Sequence, residues 1–200
     1  MKTLTKLVAA GWFVSSLAYG SIALSQTADR SDRAFGRGNF VAVDGRNSVL
    51  TSPDGAVWTR HETGAAFGLY AVAFGNGLFV AVGNEGAVMT SRDGFRWAQQ
   101  NSDTDERLRG VAWGNGRFAA VGHAGTIVTS KDGTHWTRQY AETQDRLQSI
   151  SFGNGFFVAI GSRGEVVTST AGRFWRKQNA AAADALVKAS RAHGLFAAAN

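Results

Sequence analysis

The 200-residue chain contains no cysteine. That removes disulfides, iron–sulfur clusters and thiolate zinc sites, and it neither requires nor excludes an oxidising compartment. Proline occurs once, as Pro53, against 25 glycines, so the glycines mark ordered turns and not a Pro/Gly-rich linker. Lysine and arginine total 21 against 15 aspartates and glutamates, but the two signs are interspersed without a block of either. The footprint of a nucleic-acid binder is therefore missing. Beyond residue 28 no apolar run is long enough to span a bilayer.

One apolar run does stand at the N-terminus. Lys2 and Lys6 precede an uncharged stretch from Leu7 to Ala28. Ala18-Tyr19-Gly20 and Ala23-Leu24-Ser25 both put small residues where a signal peptidase reads. The pattern predicts a signal peptide over residues 1–25, cleaved after Ser25; the competing reading is an uncleaved anchor. Cleavage would remove two lysines and no acid, leaving 19 basic against 15 acidic residues. The expected location is periplasmic or secreted, with no membrane span after cleavage.

What the chain has in abundance is repetition. Ser52-Pro53-Asp54-Gly55 leads to Trp58, Ser91-Arg92-Asp93-Gly94 to Trp97, Ser130-Lys131-Asp132-Gly133 to Trp136, and Ser169-Thr170-Ala171-Gly172 to Trp175, each 39 residues after the last. A fixed period of this size is the signature of a repeat architecture. Within the copy at 108–146, residues 109–113 alternate, placing Val111 and Trp113 on one face of a strand. Gly114-Asn115-Gly116 carries the Asn-Gly dipeptide of a two-residue hairpin. Phe118-Ala119-Ala120-Val121 reads as a strand covered on both faces, 126–130 as a third strand, and 136–139 as a polar fourth one suited to an edge.

Four antiparallel strands per repeat of about 40 residues describe a β-propeller blade. A solenoid or parallel β-helix would need a shorter rung. The expected fold is therefore all-β, a β-propeller with four blades at 30–68, 69–107, 108–146 and 147–185 and a partial fifth at 186–200. Residues 180–183 are Ala-rich and precede Asp184 and Leu186, a composition that could form a helical turn, but their register favours a loop leading into a strand. The fifth blade would lack its third and fourth strands, so the ring is expected to be open or incomplete. Four blades with a surplus hairpin, an assembly through another chain, and a truncated larger propeller all fit this pattern; truncation is the expectation, and an open ring would allow self-association.

In the polar turn, Ser and Asp two residues apart can accept bonds from the free N–H groups of the hairpin, Gly supplies a permissive backbone, and Trp covers the turn. These residues resemble the Asp-box, or bacterial neuraminidase, repeat. That motif is usually written Ser-x-Asp-x-Gly-x-x-Trp, whereas here Gly follows Asp directly, and the fourth copy has Ala171 in place of Asp. The resemblance implies that Ser52, Asp54, Gly55, Trp58, Ser91, Asp93, Gly94, Trp97, Ser130, Asp132, Gly133, Trp136, Ser169, Gly172 and Trp175 are structural and lie on the blade periphery. The chain is also similar to the exported propellers grouped with photosystem II assembly factors. That likeness implies protein binding through an Arg-rich loop face, not a photosynthetic role.

The copies differ in the loops between second and third strands and between blades, which is where propellers concentrate function. The candidate binding residues there are Arg46, Asn47, Glu85, Arg107, His123, Arg146 and Arg163. No catalytic residue is assigned. A sialidase-type site would need a Tyr–Glu pair, an Asp and three Arg, and outside the signal only Tyr70 and Tyr140 remain. His61, His123, His135 and His193 have no ligand spacing, so no metal is expected, and no motif calls for a cofactor. The reading is a non-catalytic protein-binding or assembly scaffold whose partner is a protein or a glycan; a carbohydrate-active propeller is the alternative.

Overall fold

The structure, a computed structural model, describes residues 33–179, 181–183 and 185–186. The signal peptide expected at 1–25 and, apart from Leu186, the partial fifth blade expected at 186–200 lie outside the described residues. Among the described residues sixteen strands form four separate antiparallel sheets, each in chain order. The first sheet holds β1 (Arg33–Gly36), β2 (Asn39–Val43), β3 (Ser48–Ser52) and β4 (Thr59–Glu62). The second holds β5 (Leu69–Gly75), β6 (Leu78–Gly83), β7 (Val88–Ser91) and β8 (Ala98–Gln100). The third is β9 (Leu108–Gly114), β10 (Arg117–Gly122), β11 (Ile127–Ser130) and β12 (Trp136–Gln139), and the fourth β13 (Leu147–Gly153), β14 (Phe156–Gly161), β15 (Val166–Ser169) and β16 (Arg176–Lys177). This is the four-stranded blade that the 39-residue period implies.

Local chemistry explains each turn. Asn76-Gly77, Asn115-Gly116 and Asn154-Gly155 join the first two strands of their blades with positive φ at both residues, 50° and 71° in the first of them. That is the two-residue hairpin whose twist matches the flanking strands. In the first blade Arg37 takes the Asn position at φ 50°, strained for a long side chain, and its Nε donates to the Gly77 carbonyl of the next blade at 3.2 Å. Strands β6 and β10 are buried along nearly their whole length, whereas β4, β8, β12 and β16 are largely exposed edges.

The blades join through their first strands: β1 packs on β5, β5 on β9 and β9 on β13, with no return contact of comparable size from β13 to β1. Glycine makes the close approach possible. A Cβ at Gly36, Gly75 or Gly114 would fall inside the ring of Phe74, Trp113 or Phe152 of the following blade. Each of those rings rests in turn on the fully buried Phe79, Phe118 or Phe157, with centroids 4.6, 4.5 and 4.8 Å apart. Burying one such side chain contributes about 1.5–3 kcal/mol, and tilted ring pairs add about 1 kcal/mol. The core is thus a series of sheet-to-sheet layers, one between each pair of neighbouring blades.

The Ala-rich stretch corrects the sequence reading. In place of a loop leading into a strand, residues 181–183 and 185–186 are helical. Asn179 starts the turn: its Oδ1 accepts from the Ala182 N–H at 2.9 Å and its carbonyl from the Ala183 N–H at 2.9 Å. Ala183 and Leu186 then cover Val158, Ile160 and Val166, the apolar face of the fourth blade turned away from the third. Burial of that face outweighs the strand register. Among the described residues no helix is long and apolar enough to cross a membrane.

Candidate functional site

Antiparallel order puts the hairpin turns and the Ser-Asp-Gly turns at one end of every blade and the remaining loops at the other. The Ser-Asp-Gly end is a staple. Ser52 Oγ donates to Asp54 Oδ1 at 2.9 Å and accepts from the Gly55 N–H at 2.8 Å. Asp54 Oδ1 also accepts from the N–H groups of Ala56 and Val57. The same set recurs around Ser91, Asp93 and Gly94 and around Ser130, Asp132 and Gly133. These backbone bonds hold all three carboxyls below the usual aspartate range, Asp132 furthest because the His135 ring adds a bond. The tryptophans do more than cover the turn: the indoles of Trp58, Trp97 and Trp136 donate to the carbonyls of Gly55, Gly94 and Gly133 at 2.9–3.1 Å. Where Ala171 replaces Asp, Ser169 and Gly172 form no such set, and Trp175 Nε1 is buried without a partner.

The opposite end is built from backbone first. In the third and fourth blades the N–H of His123 bonds the Arg107 carbonyl at 3.0 Å and that of Ser162 the Arg146 carbonyl at 2.8 Å. Between blades, the Gly125 N–H reaches the Asp145 carbonyl at 2.9 Å. Gly125, at φ 65°, closes a 3-10 turn over His123–Gly125, and a Cβ there would strike the Thr143 carbonyl. The loops are therefore fixed relative to the strands beneath them.

On this frame stands a cationic cluster around an aromatic ring. The guanidinium carbons of Arg107 and Arg109 lie 5.6 and 5.5 Å from the Tyr70 ring centroid. Arg146 is close enough that its charge, with those of Arg107 and Arg109, depresses His123; burial is the largest cause, and Glu106 opposes them. Arg107, Arg109 and Arg146 form no ion pair among the described residues. Two buried polar atoms, Asn84 Oδ1 and His123 Nε2, have no hydrogen-bond partner, and the two residues occupy the same position in consecutive repeats. Buried polar atoms are normally satisfied, so a matched pair of orphans at the loop end stands out.

Of the residues singled out from the sequence, the structure brings Arg107, His123 and Arg146 together. Arg46 and Asn47 are both exposed on the first-blade loop, and the bond there is to the Asn47 backbone, whose carbonyl accepts from Thr63 Oγ1 at 2.6 Å. Glu85 is exposed at φ 51°. Arg163 is drawn into the fourth blade, its Nε 3.3 Å from Asp145 Oδ1 and its N–H 2.9 Å from Oδ2. Burial raises the Asp145 pKa, but the N–H of Arg163, the Ser162 hydroxyl, the N–H of Arg146 and the Arg163 charge outweigh it and hold the carboxyl low.

Tyr70 and Arg109 are the residues that sequence reasoning did not assign. They occupy one repeat position, second in their first strands, with Gln148 as the next copy, and all three are half-buried polar breaks in apolar strands. The other histidines lie apart: His61 packs edge-on to Phe95 and His135 pairs with Asp132, while His193 falls outside the described residues. No metal-ligating cluster occurs among the described residues.

No family model and no curated protein matches the chain. Solved structures do match in fold. YCF48 bound to D1 peptide aligns at 24% identity and TM-score 0.60, over 82% of this chain and 58% of that one. An ancestral GH74 enzyme aligns at 18% identity and TM-score 0.56, over 73% and 23% respectively. The WD40 repeats of RRP9 align at 13% identity and TM-score 0.61, over 74% and 48%. These likenesses show the β-propeller fold, and the chain spans less than two thirds of the length of each of the three.

Proposed function

We propose that this chain is an exported, non-catalytic β-propeller of the Asp-box class that captures a protein partner through its loop face, as a binding or assembly scaffold. The observation that carries the reading is the cluster of Arg107, Arg109 and Arg146 around Tyr70, cations without carboxylate partners beside the two orphaned atoms of Asn84 and His123. Such a face suits an acidic peptide segment, whose carboxylates take charge-assisted bonds from the guanidinium forks while its backbone answers the amide and imidazole. The fold-level likeness to a propeller bound to a peptide supports the same direction. Capture of partners from a periplasmic extract, followed by mass spectrometry, tests it with the Arg107→Glu/Arg146→Glu double variant. Capture should be lost in that variant and kept in Arg163→Gln, since the Arg163 guanidinium already serves Asp145. Equal capture by the double variant would remove these arginines from the proposal.

The carbohydrate-active alternative rests on the likeness to a GH74 enzyme. Tyr70 lies against two arginines and Tyr140 is 80% exposed, and neither hydrogen-bonds a glutamate among the described residues. A panel of fluorogenic glycosides separates the readings. Turnover that survives Tyr70→Ala and Tyr140→Ala but is lost with the loop acids Asp103, Asp105 and Glu106 would favour a hydrolase.

A further inference from the structure

The end of the blades away from the loop face holds a feature the proposed function leaves unused. Between the third and fourth blades lies a groove of about 500 Å³ lined by Arg117, Thr129, Lys131, Asp132, His135 and Arg173. Its sister between the second and third blades, about 440 Å³, presents at the equivalent positions Leu78, Thr90, Arg92, Asp93, Arg96 and Thr134. The decisive changes are Leu78 to Arg117 and Thr134 to Arg173, which put two guanidinium-bearing side chains in the lining where the sister has an apolar and a neutral one.

No carboxylate pairs with Arg117, Lys131 or Arg173 among the described residues. The one carboxylate in the lining, Asp132, is already engaged by the Ser130 hydroxyl, the N–H groups of Thr134 and His135, and the His135 ring at 2.8 Å. Burial first, and the charge of Arg173 second, lower the pKa of Arg117, so the pair stands close enough to repel. Thr129 adds an independent sign. It is 2% exposed and its Oγ1 has no partner. In the sister groove Thr90 Oγ1 donates to the Ala98 carbonyl at 3.3 Å and accepts from Gln100 Nε2 at 3.0 Å. Gln100 Nε2 also lies 3.5 Å from the Ala98 carbonyl; here Gln139, the equivalent of Gln100, keeps only the corresponding bond, to the Thr137 carbonyl at 3.1 Å, leaving the threonine unused.

We propose that this groove binds a dianionic tetrahedral oxoanion, free phosphate or sulfate or a phosphate monoester, clamped by Arg117 and Arg173 with the Thr129 hydroxyl as a further donor. Three cations against one committed carboxylate exceed what a single carboxylate ligand would neutralise, and guanidinium forks match the oxygens of a tetrahedral anion. The site is separate from the loop face and does not depend on what binds there.

Isothermal titration of the purified full chain with inorganic phosphate, inorganic sulfate and phosphoserine, at an ionic strength held constant with sodium chloride, tests the proposal. Saturable binding is expected, weakened at least about tenfold by Arg117→Leu and by Arg173→Thr and lost in the double variant. Both substitutions restore side chains that the sister groove already accommodates, and unchanged circular dichroism and Tm would verify the fold. Tighter binding of phosphoserine than of phosphate would identify an ester as the ligand, and equal binding the free ion. Heats no larger than with added chloride, or binding retained by the double variant, would overturn the site, as would binding lost in Arg107→Ala and kept in Arg117→Leu.

Discussion

Restoring the missing carboxylate of the fourth blade, Ala171→Asp, should stabilise the protein. In each intact turn the aspartate accepts from a serine hydroxyl and from two backbone N–H groups at 2.8–3.2 Å. The equivalent groups in the fourth blade, the Ser169 hydroxyl and the N–H groups of Arg173 and Phe174, have no such acceptor, and position 171 is exposed and free to take a side chain. Three bonds at a net ~0.5–1.5 kcal/mol each, reduced for solvent exposure and for ordering the side chain, amount to roughly 1–2 kcal/mol. For a chain of this size that is a rise in Tm of about 2–8 °C. The gain should depend on pH in one direction. Backbone bonds, from Ala56 to Asp54 and from Arg96 to Asp93, pull the existing carboxyls below the unfolded value of 3.8. A carboxyl depressed on folding stabilises above its unfolded pKa, and the contribution is lost as pH falls through the folded value. Urea denaturation followed by tryptophan fluorescence at pH 7 and pH 3 checks both parts. A variant no more stable than the parent at pH 7, or a gain as large at pH 3 as at pH 7, would refute the account of the aspartate as an ionised turn acceptor.

Gly114→Ala places a methyl group inside the Phe152 ring and should cost about 1–3 kcal/mol in urea denaturation, where an open strand position would gain from the same change. His123 titrates below its ordinary value of 6.5, so the unfolded chain binds its proton first. Stability should therefore fall as pH drops through and below that value, and His123→Gln should flatten the dependence between pH 7 and pH 5.

The blades were legible because their causes are local. Asn76-Gly77 and its copies demand a two-residue hairpin wherever they fall, and an apolar run such as 118–121 demands cover on both faces. The ionised role of Asp54, Asp93 and Asp132 as turn acceptors follows from neighbours two and three residues away. The helical turn at 181–183 was misread because what decides it is the uncovered face of Val158, Ile160 and Val166, to which Ala183 and Leu186 are delivered by folding. The candidate site was half legible. Loop position singled out Arg107, His123 and Arg146, but Tyr70 and Arg109 sit inside strands whose alternation reads as core.

What the sequence by itself determined is the period, the four strands per repeat and the turn chemistry, since each rests on residues within one repeat. Only the tertiary structure decided which side chains of different repeats meet. It placed Arg109 over Tyr70, drew Arg163 to Asp145 and set Arg117 against Arg173. The physical reason is the ring-on-glycine contact between first strands. It fixes the spacing and rotation of neighbouring blades, and with them every pairing between residues a full repeat or more apart.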